Sequence, residues 1–258
     1  MDNTIVKQEQ LLQRRFKDLA HKADQRQCIL FTDFLNLHEQ DLFLRTKNEL
    51  QRIKYFSHGG YKDAERKVLC FCGDNSIEDE SYISYPISCI HIKPLNPKFS
   101  DKLSHRDILG AVLNLGIDRS KIGDIILDKN ESYLFCSDSI DSFIISELTR
   151  IKHTVVSASL IDSQDFTYKP NLKPISGTVT SIRLDSILSI AFKGSRSSLS
   201  GLIAGGKVFV NGKNILSNSY TLKENDVVSV RGHGKFIFVG ENKLTKKGRL
   251  SVKILLYQ

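Results

Sequence analysis

The spacing of apolar residues changes several times along the chain, and each change marks an element. From Ile5 to His21, Leu11, Leu12, Phe16 and Leu19 recur at roughly helical spacing between Lys and Arg residues, which predicts an amphipathic helix. Cys28 to Phe31 and Thr32 to Asn36 follow, and a second helical pattern runs from Glu39 to Tyr55 with Leu42, Phe43, Leu50 and Ile53 as its core face. Ser57-His58-Gly59-Gly60-Tyr61 reads as a turn, and Arg66 to Cys72 as a strand. Beyond an acidic, turn-rich stretch from Gly73 to Ser81, the patterns run strand (Ile87 to Ile92), helix (Ser104 to Leu115), strand (Asp124 to Leu127), strand (Ser132 to Cys136), helix (Ser139 to Ile151), strand (Thr154 to Leu160). Further on, Ile182, Leu184, Ile187, Leu188 and Ala191 recur at helical spacing and leave Arg183 off the buried stripe. Lys193-Gly194 breaks that helix, and hydroxyls from Ser195 to Ser198 can cap a second one with Leu199, Leu202 and Ile203 as its apolar face. Gly205-Gly206 ends it. Lys207 to Val210 then leads into the tight turn Asn211-Gly212, Val227 to Val230 forms another strand, and Phe236 to Val239 with Leu250 to Leu255 predict a closing hairpin.

The order of elements predicts an α+β protein: a small N-terminal α/β module over 1–80, a βαββαβ domain of ferredoxin-like or RNA-recognition-motif architecture over 81–165, a Lys- and Pro-bearing connector over 166–178, and a C-terminal module over 179–258. Charge sharpens that division. From Leu172 onward there are 14 Lys and Arg against 4 Asp and Glu, net +10; the first 171 residues hold the other 23 basic and 25 acidic side chains, net −2. A positive field confined to one module predicts a docked polyanion. The absence of an apolar run near 18 residues argues against a membrane span, and the lack of a leader pattern against secretion. Cys28, Cys70, Cys72, Cys89 and Cys136 are odd in number and lack the C-x-x-C pairs of a zinc site, so reduced cytoplasmic thiols without a metal are expected. No heptad or long unpaired apolar stripe is present, which suits a monomer.

Arg183, Lys193, Arg196, Lys207, Lys213, Arg231 and Lys235 fall within about fifty residues around two short helices and a small sheet, a phosphate-binding arrangement in which unpaired first-turn amides beside Arg196 add an anion site. Ser195, Ser197 and Asn211 are suited to shape or cap it. At the start of the middle helix, His105 and Arg106 can face an anion or a neighbouring domain, while Ser104 and Asp107 form a variant capping box and Gly116 a C-terminal stop. His105-Arg106-Asp107 matches the letters of a kinase catalytic loop, yet the Gly-rich loop, nucleotide-holding Lys and Asp-Phe-Gly site of a kinase are missing. Lys246, Lys247 and Arg249 at the tip of the last hairpin suit phosphate or solvent equally. Tyr133 and Phe135 share a strand face, a pattern that fits core packing better than base stacking. Gly59-Gly60 permits close backbone approach to a ligand, although a plain turn is the simpler use.

These residues carry a family resemblance. Arg183-Leu184-Asp185, Ser195-Arg196-Ser197, Gly206 to Lys213 and Asp226 to Gly232 resemble the S-four RNA-binding domain, with Asn225 where a Gly commonly stands. Leu103 to Gly110, Leu115 to Arg119, Lys121 to Ile125, Gly59-Gly60-Tyr61 and Ala64 to Lys67 are similar to the first two domains of YlmH-type proteins of Gram-positive bacteria; Asn36 to Gln40 departs from that family's Asp-Pro-Arg run. The resemblance implies a factor of ribosome-associated quality control without a catalytic centre in its first two domains, binding the large ribosomal subunit that carries an obstructed peptidyl-tRNA, with the S-four domain on rRNA and tRNA; a cytoplasmic location and no cofactor are expected alongside. It also implies a link, by name, to cell division. The competing expectation is an RNA-modifying enzyme that docks through the basic module. A methyltransferase would need a Gly-rich nucleotide loop and a pseudouridine synthase a catalytic Asp in its own larger domain, and neither pattern is visible. An adaptor role for the near-neutral N-terminal domains is compatible with RNA binding.

Overall fold

The computed structural model describes residues 3–50, 53–73, 79–162, 166, 168–192, 194–244 and 248–257, apart from the side chains of 3–5, 196, 197 and 242–244; the chain divides into two units, Met1–Tyr168 and Lys169–Gln258. The first unit begins with α1 (Asn3–Arg26), followed by β1 (Ile29–Leu35), α2 (Leu37–Thr46), β2 (Lys54–His58) and β3 (Lys67–Cys72). The three strands form an antiparallel sheet in the order β1-β3-β2. Phe16, Ala20 and Ala23 of α1 bury against Leu35, Phe43, Leu69 and Phe71. Phe43 is the hub, with ring centroids 5.4 Å from Phe16 and 5.7 Å from Phe71, both edge to face. The helix expected to reach Tyr55 instead stops at Thr46, with one 3-10 turn after it, and Lys54–His58 is a strand. Leu50 and Ile53 prolong the helical spacing and still pack on this core, which is why periodicity alone runs past the boundary. Asn36 starts α2 with a complete capping box, accepting from the Glu39 amide at 3.0 Å while the Glu39 carboxylate accepts from the Asn36 amide at 2.7 Å.

The middle of the chain continues with β4 (Ile87–Pro94), α3 (His105–Leu113), β5 (Ile122–Asp128), β6 (Glu131–Ser137), α4 (Asp141–Glu147), β7 (Arg150–Ile151) and β8 (Thr154–Ile161). The sheet order β5-β6-β4-β8-β7, antiparallel throughout, is the ferredoxin-like arrangement extended by one short strand. That extra strand takes the end of the helix expected to reach Ile151. One sheet face, through Ile90, Ile92, Leu134 and Cys136, packs on Ile108 and Val112 of α3 and Ile144 of α4. By strand alternation Cys89 and Phe135 point the other way, and there they meet Phe34 and Val68 of the N-terminal module.

That interface is tightly fitted. Gly60, at φ +95°, lies so close to Phe135 that a Cβ would overlap the ring, and a Cβ on Gly123 would stand 2.7 Å from the Phe34 ring. The Asp124 carboxylate accepts from the Tyr61 hydroxyl at 2.8 Å and from the amides of Glu65 at 2.6 Å and Arg66 at 3.0 Å. Arg66 is buried and donates to the carbonyls of Ile122 and Phe34 at 2.8 and 2.9 Å. Lys121 reaches Asp33 at 2.7 Å. Burial lowers the pKa of both neighbouring guanidiniums; Arg119, with Arg66 beside it as a second cause, falls to about 10.

The second unit comprises β9 (Leu172–Val179), α5 (Leu184–Phe192), α6 (Arg196–Ala204), β10 (Val208–Val210), β11 (Lys213–Asn214), β12 (Val227–Val230), β13 (Gly234–Leu244) and β14 (Leu250–Tyr257). Its sheet runs β11-β10-β12-β13-β14-β9. Residues 172–178, expected as connector, instead pair with β14 over the whole length of β9. Lys169-Pro170 and Lys173-Pro174 mislead because β9 is an edge strand, where Pro174 is tolerated. α5 and α6 cover one face, burying Leu184, Ile187, Leu188, Leu199 and Ile203 against Val208, Val228, Phe236 and Ile254.

Candidate nucleic-acid interface

Arg183 stands immediately before α5, anchored by a bridge to Thr221, and its guanidinium grips Asp185 through two hydrogen bonds of 3.2 Å. Asp185 is buried, so part of the Arg183 charge holds the start of the helix, while its 42% exposed side chain leaves the other edge to solvent. Ser195 is the N-cap of α6, accepting from the Ser198 amide at 3.3 Å, and its own hydroxyl lies 3.0 Å from that of Ser198. Lys193 lies outside the described residues, as do the side chains of Arg196 and Ser197.

The turn after β10 is set by Asn211 and Gly212, at φ +48° and +75°, which match the two left-handed positions of a tight hairpin. Asn211 also clamps the turn to the next strand: its amide donates to Asp226 at 2.8 Å and its side-chain oxygen accepts from the Val227 amide at 2.9 Å. Asn211 thus shapes the site. Asn225, at φ +65°, occupies the left-handed position where a Gly is common. Lys213 projects into solvent beyond the turn.

The remaining basic residues lie elsewhere. Val208, Val210, Val228, Val230, Phe236, Phe238, Val252 and Ile254 face the helices, so the residues alternating with them line the opposite, outer face. Phe209 pairs with Ser229, Ser229 with Lys235, and the β13–β14 register places Lys235 opposite Tyr257. Arg231, whose backbone amide donates to the Lys207 carbonyl at 2.9 Å, reaches over the Phe209 ring with its guanidinium carbon 4.8 Å from the centroid. The Lys235 ammonium sits 4.3 Å from the centre of the Tyr257 ring. The single basic cluster read from the sequence therefore resolves into two: Arg183 and Ser195 on the helix side, and Lys207, Arg231 and Lys235 together on the outer sheet face. Sequence reasoning missed Phe209 and Tyr257, although Phe209 stands out as the aromatic between two core valines.

Of the other residues singled out, His105 and Arg106 are exposed at the start of α3, where the Ser104–Asp107 capping box forms and Lys152 pairs with Asp107 at 2.7 Å. Those partners hold the Asp107 carboxyl down at about 2. Gly116, at φ +84°, follows the end of α3. Arg249 donates to the Thr178 carbonyl at 2.8 Å, tying the last hairpin to β9; Lys246 and Lys247 lie outside the described residues. Phe135 is fully buried, and Tyr133 stacks on His91 at 4.9 Å with 7° between the planes. Among the described residues no group of His, Cys, Asp and Glu is placed to hold a metal ion, and no helix is long and apolar enough to cross a membrane. Burial pushes the thiols of Cys89 and Cys136 up to about 12.

Three family models match the chain in succession: "YlmH, N-terminal" over 11–74, "Putative RNA-binding domain in YlmH" over 82–165, and "S4 domain" over 182–228. A Bacillus subtilis relative, "Ribosome-associated protein quality control protein P2", is 31% identical over 225 residues, covering 86% of this chain and 84% of its own. The solved structure of "Cell division protein ylmH from Streptococcus pneumoniae" aligns with 62% of this chain and 95% of its own at 22% identity and a TM-score of 0.49. With these domain models in order and the 31% identity to the Bacillus relative sustained over most of both chains, the protein belongs to the YlmH family and carries its RNA-binding domains, ending in an S4 domain.

Proposed function

We propose that the protein is a non-catalytic, cytoplasmic RNA-binding factor that acts as a monomer on the large ribosomal subunit, holding structured rRNA and tRNA during quality control of obstructed peptidyl-tRNA complexes. The observation that carries this reading is the confinement of the net +10 charge to the stretch that folds as the S4-bearing unit, against −2 for the first 171 residues. A polyanion is drawn to one module while the rest of the chain stays near neutral. The name of the Bacillus relative supports the ribosomal setting. Arg183, Lys193, Arg196 and Lys213 hold phosphates, with Ser195, Ser197 and Asn211 shaping the site and His105, Arg106, Lys246, Lys247 and Arg249 as secondary RNA-binding residues. Structured RNA hides its major groove, so recognition reports backbone geometry rather than base identity.

The test is co-sedimentation of the whole chain with purified large subunits, empty or carrying peptidyl-tRNA, across a salt series. Preference for the tRNA-bearing subunit is expected. An Arg183→Ala/Arg196→Ala/Lys213→Ala variant should bind less tightly, with the salt slope reduced by about 0.7–0.9 for each phosphate no longer neutralised. Equal binding to both subunits refutes the quality-control reading, and an unchanged slope removes these residues from the site. Incubation with RNA and labelled S-adenosylmethionine, followed by nucleoside analysis, tests the enzyme alternative; stoichiometric modification would establish it.

A further inference from the structure

We propose that the outer face of the second unit's sheet is a stacking platform for unpaired RNA nucleotides, built from Phe209, Arg231, Lys235 and Tyr257. This goes beyond phosphate docking at the helix side, and it rests on the RNA-binding reading above.

The register brings Phe209, Ser229, Lys235 and Tyr257 into one row across β10, β12, β13 and β14. Three strand steps of about 4.8 Å make the row roughly 14 Å wide. Four-stranded RNA-binding sheets of similar width stack two or three bases. Each ring in the row carries a cation, Arg231 at 4.8 Å from the Phe209 centroid and Lys235 at 4.3 Å from the Tyr257 centroid. A guanidinium lying on a ring offers its other plane to a base, and an ammonium beside a ring places positive charge next to the phosphate of a nucleotide stacked there. Ser229, between the two pairs, is short enough to admit a base edge. Below the row, Val227, Ile237, Leu255 and Pro174 continue across the sheet, the first three half-buried and outside the apolar core. They supply a floor for bases and sugars.

None of the residues in these two rows is acidic, and Lys207 and Lys253 lie on the same face. An apolar protein partner would have to desolvate the basic side chains of Lys207, Arg231 and Lys253, whereas RNA neutralises them. A duplex keeps its bases stacked inside, so the matching ligand is single-stranded.

The experiment uses the full chain with an unstructured eight-nucleotide RNA carrying one 4-thiouridine and, as reference, a blunt RNA duplex of the same length. Phe209→Leu/Tyr257→Leu keeps apolar bulk and removes both rings. It should weaken single-strand binding by about tenfold or more, leave duplex binding within about twofold, and leave the salt slope unchanged. Photo-crosslinks on the unmodified chain should map to peptides containing Phe209 or Tyr257, a readout that does not depend on the variant folding. Unchanged single-strand affinity in a variant that melts like its parent, equal loss on both probes, or crosslinks confined to other peptides would each overturn the platform. Failure of the unmodified chain to bind either RNA or large subunits defeats the RNA-binding reading as well. Retained duplex or subunit binding without single-strand binding defeats the platform alone.

Discussion

Removing the Asp124 carboxylate should loosen the packing of the N-terminal module on the middle sheet. Asp124 accepts three hydrogen bonds from the facing module, at 2.6 to 3.0 Å, in a part-buried site. It also lies near the buried Arg66 guanidinium, whose charged form it favours. Asp124→Ala takes this acceptor from two backbone amides and a phenol at once. A buried donor stripped of its partner costs about 1–3 kcal/mol, and water reaching a part-buried site moderates the sum, so a total of about 3–5 kcal/mol is expected. That is a large share of the roughly 5–15 kcal/mol by which domains are stable. With a urea m-value of about 2–3 kcal/mol/M, the unfolding midpoint of the full chain should fall by roughly 1–2.5 M. Asp124→Asn, which keeps one oxygen acceptor but turns an N–H toward a donor, should lie between the two. Hydrogen exchange should accelerate first at residues 59–66 and 122–124. A destabilisation below about 1 kcal/mol, or exchange unchanged at both segments, would refute the view that this carboxylate joins the modules.

Other outcomes follow from the same geometry. Gly60→Ala forces a Cβ into the Phe135 ring at φ +95° and should cost about 2–4 kcal/mol in urea unfolding, whereas Gly110→Ala, inside α3 with open space around it, should stabilise by about 0.5–1 kcal/mol. The Cys89 and Cys136 thiols, raised by burial from 9.0 to about 12, should resist thiol reagents at pH 8.5 until the chain unfolds. Because the fold keeps them protonated where the unfolded chain ionises, their contribution is intact below about pH 9 and is lost as pH rises toward 12, so the urea midpoint should fall through that window. Asn211→Ala removes the hydrogen bonds to Asp226 and Val227 and leaves Ala at φ +48°, which should lower stability by about 1–3 kcal/mol in the same urea titration.

The elements that periodicity reveals are those whose neighbours are close in sequence. α1, α3, α5 and the βαββαβ order each bury one repeating face, and that repetition is local. β2 escaped notice because Leu50 and Ile53 serve one core whether the backbone is helical or extended. β9 escaped because Pro174, with Pro170 just before the strand, suits a linker and an edge strand equally. The site divides along the same line. Ser195 as a cap and Asn211 as a turn residue act on neighbours a few positions away and could be read directly. Phe209 and Tyr257 gain their meaning from pairing across four strands, and Lys207, Arg231 and Lys235 could be assigned to a face only once the register was known.

The two sheets put the same aromatic chemistry to opposite uses. In the middle domain, the face that an RNA-recognition motif would offer to bases carries Phe135, yet Phe34, Val68 and the Gly60 turn cover it, and no part of that ring remains accessible. The glycines at 60 and 123 are what permit this close cover, since a side chain at either would hold the modules apart. Tyr133, the next residue on that face of β6, is taken up by His91 and Phe166. The face is thereby committed to joining two modules, in a stretch of the chain whose net charge gives RNA no long-range attraction. In the second unit the helices cover the opposite side of the sheet, and the outward row retains its rings and its cations. Architecture alone would have assigned base recognition to the middle domain; burial and charge together are what favour the proposed platform on the C-terminal sheet instead.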